Sequence, residues 1–167
     1  FAVTAGKSAF FRIKLIPKTI AGTVSSTSGG NITLSSGLII GLPANGVVTA
    51  SSNAAYSGNI NVAVAWLNPE ANDLTEIMPG DLRGLDENGA IKGLTTFGMT
   101  AVELSDDAGN LLQIASGKKA TITMPLSATL SAAAPASIPL WYFNENNGLW
   151  KQEGSATKTG NTYVGEV

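Results

Sequence analysis

The 167-residue chain contains no cysteine and no histidine. The first absence excludes disulfides and thiolate nucleophiles, though not an oxidising compartment. The second removes the usual imidazole base, and together they remove the usual transition-metal ligands. Charge is scarce as well: Asp, Glu, Lys and Arg make up 13% of the residues, with a net charge of -2. A nucleic-acid interface needs a basic footprint, so no nucleic-acid partner is expected. No apolar run is long enough to cross a bilayer, so no transmembrane segment is expected either.

What is present points to β structure. Hydrophobic residues are 44% of the chain, too many for a disordered segment. A chain of this length buries a core without covalent staples. Nineteen glycines and seven prolines, with abundant Ser, Thr, Ala and Asn, imply many turns. The charges that exist are segregated. Residues 1–18 carry Lys7, Arg12, Lys14 and Lys18 and no acid. Residues 70–107 carry Glu70, Asp73, Glu76, Asp81, Asp86, Glu87, Glu103, Asp106 and Asp107 against Arg83 and Lys92. Two readings fit: solvated loops with a lysine-protected edge strand, or a basic strand that pairs with a neighbouring module.

Alternation locates the strands. Phe11, Ile13 and Leu15 alternate with Arg12, Lys14 and Ile16, which predicts a strand over residues 9–16 stopped by Pro17. A second short strand covers 19–24. Ile32 and Leu34 alternate with Asn31, Thr33 and Ser35. Residues 38–42 are continuously apolar and read as a strand buried on both faces, closed by Pro43. Asn45-Gly46 is a turn signal before another strand at 47–50. The clearest strand is 58–67, with Ile60, Val62, Val64 and Trp66 on one face. Residues 70–98 are the least regular. They hold the turns Pro79-Gly80 and Asp86-Glu-Asn-Gly89, the first suited to a type II turn because glycine supplies the positive φ. Residues 99–104 and 110–115 flank a Gly-closed loop and form a hairpin. Residues 118–124 alternate again and end at Pro125. Residues 126–134 suit either one helical turn or a loop. The last thirty residues supply an aromatic strand, Ile138-Pro-Leu-Trp-Tyr-Phe143, a turn, a second strand with Trp150, and a third. About eleven to thirteen short strands at turn spacings of roughly 8–12 residues predict an all-β fold, an antiparallel β-sandwich with Greek-key and hairpin connections.

The side chains offer little chemistry. Asp81, Asp86, Asp106 and Asp107 are the candidates for a glycosidase carboxylate pair. Asp86-Glu87 and Asp106-Asp107 sit among turn-forming residues, where Asp stabilises the turn itself. The same loops, with Asn88 and Asn110, offer oxygen ligands for calcium but lack a complete twelve-residue loop with a terminal Glu. A Ser-Lys dyad with Lys118 or Lys119 has no supporting motif. No catalytic residue, metal or cofactor is therefore assigned. Asp81 and Arg83 are expected to pair and lock the turn at Pro79 and Gly80. Among the aromatics, Trp66 reads as core, and one of Trp141 and Tyr142 must point inward because strand neighbours alternate. Trp150 is expected to be the most exposed member. Trp150, Tyr142 and Trp141 are the candidate binding residues.

Several short runs carry a resemblance. Gly29-Gly30, Leu38-Ile-Ile-Gly-Leu-Pro-Ala-Asn-Gly46 and Thr121-Ile-Thr-Met-Pro125 resemble the β-sandwich domain of ankyrins, netrin receptors and zonula-occludens proteins. Met78-Pro-Gly-Asp-Leu-Arg-Gly84, Gly98-Met-Thr-Ala-Val-Glu-Leu104, Ile138-Pro-Leu-Trp-Tyr-Phe143, Gly148-Leu-Trp-Lys-Gln-Glu-Gly154 and Tyr163-Val-Gly-Glu-Val167 are similar to a bacterial version in surface and secreted proteins of Bacteroidetes. The resemblance implies residues 1–18 as the exit strand of a preceding carboxypeptidase-regulatory-like module. It implies 19–167 as one sandwich module, with a two-layer subdivision near 70–98. It also implies an extracellular or cell-surface, outer-membrane-associated setting. The function so implied is a non-enzymatic structural or presentation module whose partners are neighbouring modules of the same polypeptide. The alternative is a module binding a glycan or another envelope protein through the terminal aromatic hairpin and the 70–98 loop. A third reading is an intracellular scaffold like that of the ankyrin relatives.

Overall fold

The computed structural model describes residues 12–167 together with Ala5, Gly6 and Ser8. Two sheets of mostly antiparallel strands face each other, and they do not close into a barrel. The first sheet contains β1 (Ile20–Ser25), β4 (Val47–Thr49), β5 (Asn59–Leu67), β8 (Met99–Ser105) and β9 (Leu111–Ile114). Their order across the sheet is β1-β5-β8-β9-β4. The second sheet contains β2 (Gly30–Thr33), β3 (Ile39–Leu42), β6 (Arg83–Leu85), β7 (Ile91–Gly93), β10 (Thr121–Pro125), β11 (Ser137–Asn144), β12 (Leu149–Thr159) and β13 (Thr162–Glu166). Its order is β2-β3-β10-β13-β12-β6-β7, and β11 pairs β12. Two single helical turns, α1 (Leu74–Ile77) and α2 (Ala128–Ser131), complete the elements. The fold class is thus an all-β sandwich.

The eleven-residue β12 organises the second sheet. Ala156 faces both Ile138 of β11 and Gly165 of β13, while Trp150 faces both Phe143 of β11 and Gly84 of β6. β11 therefore runs along one side of β12, and β13 and β6 follow one another along the other. β11 is the edge strand, which suits its Pro139, because an edge position loses no ladder donor to proline.

The core follows from parity. On β5, Ile60, Val62 and Val64 are buried and meet Ile32, Leu38, Ile40, Leu42, Leu104 and Leu112 between the sheets. Trp66 packs against the same cluster. Residues 38–42 do not have two buried faces: Leu38, Ile40 and Leu42 are buried, whereas Ile39 and Gly41 are half-covered. The run is apolar because β3 is flanked by β2 and β10 and its outer face is shielded by neighbouring side chains, not by a third layer. A smaller cluster of Leu126, Ala156 and Tyr163 is continuous with the first through Met124. Polar loop ends are satisfied as burial requires. The buried Ser26 hydroxyl accepts from Gly58 N at 2.9 Å, and its carbonyl accepts from Asn45 N at 2.8 Å.

The strand expected over 9–16 is not formed over its described residues, 12–16. Residues 12–18 run without a β partner, and 9–11 lie outside the described residues. Ile13 and Leu15 are 64% and 86% exposed. The basic segment is instead a strap laid over the acidic stretch. Arg12 Nη1 meets Glu76 Oε1 at 3.3 Å, Lys14 Nζ meets Asp73 Oδ2 at 2.6 Å, and Lys18 pairs with Glu103. The Lys14 amide also donates to the Glu76 carbonyl at 2.9 Å. Three of the basic residues thus meet three of the acids of residues 70–107 within the chain.

The strap is held by exposed ions, so it responds to salt and pH. The hydrogen bond from Lys14 depresses the Asp73 carboxyl, and the same bond raises the Lys14 ammonium. A depressed carboxylate contributes above its unfolded pKa and ceases to do so as pH falls through the folded value. A raised lysine contributes below its unfolded pKa and ceases to do so as pH rises through the folded value. The Lys14–Asp73 contact is therefore complete only between those limits. Raising salt to about 1 M shortens the screening length to about 3 Å. Hydrogen exchange of the Lys14 amide should then accelerate while that of Ile60 does not. Equal rates at low and high salt would show that the ion pairs do not hold the strap.

Candidate functional site

The terminal aromatic hairpin and the 70–98 stretch are brought together, and they are brought together as packing partners. The hairpin turn is set by its own amides. Gly148 N donates to Asn144 O at 2.9 Å, Asn146 N to Asn144 Oδ1 at 3.0 Å, and Leu149 N to Asn147 Oδ1 at 3.0 Å. Phe143 and Trp150 face each other across the strands with ring centroids 5.5 Å apart at 65°, the edge-to-face geometry their quadrupoles favour. Under these rings lies a floor of glycines. A Cβ at Gly80 would sit 2.6 Å from Phe143 Cε2, and one at Gly84 would sit 2.7 Å from Trp141 Cζ3. Gly80 also has φ +63°, the left-handed conformation that the turn after Pro79 requires.

The 70–98 stretch is not featureless. It supplies α1 and the short hairpin of β6 and β7, and β6 joins β12 in parallel, with Gly84 opposite Trp150 and Leu85 opposite Lys151. Arg83 Nε donates to both oxygens of Asp81, at 3.0 and 2.8 Å. That contact holds the Asp81 carboxyl below its ordinary range. The Asp81 carbonyl accepts from Trp150 Nε1 at 2.9 Å. Trp150 is therefore not the most exposed aromatic: its ring is half-buried and its one donor is engaged. Trp141 is half-buried over Gly84, while Tyr142, on the opposite face beside Lys151, is 41% exposed.

The other candidate side chains are engaged in turns. Asp86 Oδ1 accepts from Asn88 N and Ala90 N, and Asp106 Oδ1 accepts from Ala108 N and Asn110 N. Asp107 accepts from Asn59 and Asn61. The Ala90 amide depresses Asp86 most, and the Asn110 side chain depresses Asp106 most. A general acid needs the opposite shift, so neither is prepared to protonate a leaving group. Among the described residues no three His, Cys, Asp or Glu side chains are grouped to hold a metal ion.

One feature escaped the sequence reading. An open groove of about 600 Å³ lies between the two sheets, lined by Phe97, residues 99–102 of β8, Met124 and residues 138–143 of β11. A second hollow of about 340 Å³ shares Val102, Ile122 and Val167 with it. Val102 lies on the core face of β8, opposite Val64, yet it is 39% exposed. Its alternation marks it as core. Only the divergence of the neighbouring strand, which no local signal announces, uncovers it.

No family model matches the chain, and no solved structure matches it with significance. Curated proteins do. Cartilage intermediate layer protein 2 of Homo sapiens is 28% identical over 120 residues, 71% of this chain and 10% of that protein. The Mus musculus protein of the same name is 25% identical over 163 residues, 93% of this chain and 14% of that protein. Cartilage intermediate layer protein 1 of Sus scrofa is 28% identical over 102 residues, 59% of this chain and 16% of that protein. The chain thus spans a small fraction of each of these relatives. They are animal proteins and do not bear on the bacterial likeness carried by the short motifs.

Proposed function

We propose that the chain is a non-enzymatic structural and presentation module of a secreted or cell-surface bacterial protein, part of a larger envelope assembly. The observation that carries this reading is the employment of the polar candidates. Trp150 Nε1, Asp81, Asp86, Asp106 and Asp107 all hold strands and turns in place. A sandwich so cross-tied suits the spacing of neighbouring modules. The names of the relatives support an extracellular setting, because cartilage is extracellular matrix. The Bacteroidetes-like motifs support the envelope. Neighbouring modules of the same polypeptide are the partners in this reading.

A second reading has one observation in its favour. Tyr142 presents an exposed ring beside Lys151, which suits contact with a glycan or an envelope protein. Two substitutions separate the readings. Trp150→Ala removes a half-buried ring and a hydrogen bond, and should cost about 2–4 kcal/mol of stability by the usual scale of such truncations. Tyr142→Ala should cost little. For a spacer, cross-linking mass spectrometry on the parent assembly should join Lys151 only to modules of the same polypeptide, and Tyr142→Ala should leave that pattern unchanged. Reproducible cross-links from Lys151 to a different envelope protein, lost in Tyr142→Ala, would overturn the spacer in favour of the binding module.

A further inference from the structure

The first sheet has a gap. β9 pairs β8 only at Leu104 and Ser105, whereas β5 pairs it along its full length from Met99 to Ser105. Beyond Leu104 the row next to β8 is empty among the described residues. The facing backbone groups can be identified. Ala50 N donates to Leu111 O, so the odd residues of β9 turn toward β4 and Leu112 turns toward β8. Leu112 faces Leu104, so the even residues of β8 turn toward β9. Thr100 and Val102 continue that alternation with no strand among the described residues to meet them. An unpaired edge of this kind is a template for an added strand.

The side chains around the gap say what such a strand must be. The groove beside it is mostly apolar, with Val102, Phe97, Met124, Leu140 and Trp141 among its walls. Among the described residues its charged lining consists of Glu145 and Glu153, with no lysine or arginine. Both acids are exposed, and neither has a cationic partner among the described residues. Glu103, on the same strand, is already paired with Lys18. We propose that this gap is a docking site for an extended polypeptide strand from a partner. Every second side chain of that strand enters the groove, apolar ones filling it and a lysine or arginine at the end of the same row reaching Glu145 or Glu153. The strand takes the row that β9 vacates, pairs with the free N–H and C=O groups of Thr100 and Val102, and covers Val102. This goes beyond the structural role proposed above and does not depend on it.

The test uses the whole chain and an acetylated, amidated hexapeptide, Val-Thr-Val-Thr-Lys-Thr, whose two valines and lysine share one face. Controls are the same peptide with glutamate for lysine and one with alternate amides methylated. With saturating peptide, exchange of the Thr100 and Val102 amides should slow about tenfold or more, while loop amides such as Gly89 are unchanged. The glutamate peptide should bind more weakly by about tenfold, since like charges at a rim oppose association. The methylated peptide should not protect these amides, having lost its ladder donors. Glu145→Gln with Glu153→Gln, both on exposed side chains, should erase the preference for lysine without altering the melting temperature. Three results would overturn the proposal: no change in exchange with any peptide, protection of Thr100 and Val102 already present in dilute free protein, or protection that grows with protein concentration alone. The second would show an occupant from the same chain, and the third a second copy.

Discussion

Tyr163→Ala is expected to destabilise the protein by about 3–5 kcal/mol, the scale of deleting a fully enclosed aromatic ring. Tyr163 is 2% exposed. Its ring meets Phe97 edge-on at 5.6 Å and 66°, and its hydroxyl donates to Pro135 O at 2.7 Å. Leu126, Ala156, Ile138 and Leu140 complete the surround. The residue lies on β13, which alone connects β10 to β12, so the cavity opens at the seam of the sheet. Urea unfolding should show a lower midpoint with an unchanged slope. Tyr163→Phe keeps the ring and removes one hydrogen bond, and should cost about 1 kcal/mol. Equal losses for the two variants would mean that the hydroxyl, not the ring, holds this cluster.

Gly29→Ala is expected to cost about 2–5 kcal/mol, combining the left-handed penalty with overpacking. Gly29 has φ +65°, and a Cβ there would lie 2.3 Å from Leu42 O, 2.7 Å from Ala44 N and 2.8 Å from Pro43 C. These are backbone atoms of the β3–β4 connection, so no rotamer change relieves the clash. Gly109→Ala is the control: its φ is +85°, but nothing lies within 4 Å of the added carbon. It should show only the conformational cost, about 1–2 kcal/mol. Comparable melting temperatures for the two variants would refute the steric argument.

Legibility tracked how local the determining contact was. The 58–67 alternation, the hairpin around Asp106-Asp107 and the terminal hairpins were readable because period and turn residues lie side by side in the chain. β6 was not. It has only three residues, too few to show a period, and although the turn at residues 86–89 follows it, its parallel pairing with a strand more than sixty residues later has no local mark. Residues 12–16, the described part of the strand expected at 9–16, form none for a similar reason: Glu76 and Asp73, far along the chain, compete for Lys14. At the candidate site, the aromatic hairpin was visible from composition. That Asp81 would offer its carbonyl to Trp150, turning the supposed contact residue inward, was not. Nor was the groove, which exists because β9 leaves β8 after two residue pairs.

The position of β13 between β10 and β12 has a consequence for biosynthesis. Chains emerge from the N-terminus at about 5–20 residues per second, and their parts begin to collapse as they appear. Here β2, β3 and β10 emerge as one fragment of the second sheet, and β6 and β7 as another, with no strand between them. Both fragments present bare edges until residues 149–166 follow. A nascent chain stalled before that point is a pair of unfinished sheets, open to mispairing and proteolysis. Completion of the sandwich is therefore the last event in the synthesis of this module, and a chaperone that shields strand edges has its greatest effect just before it.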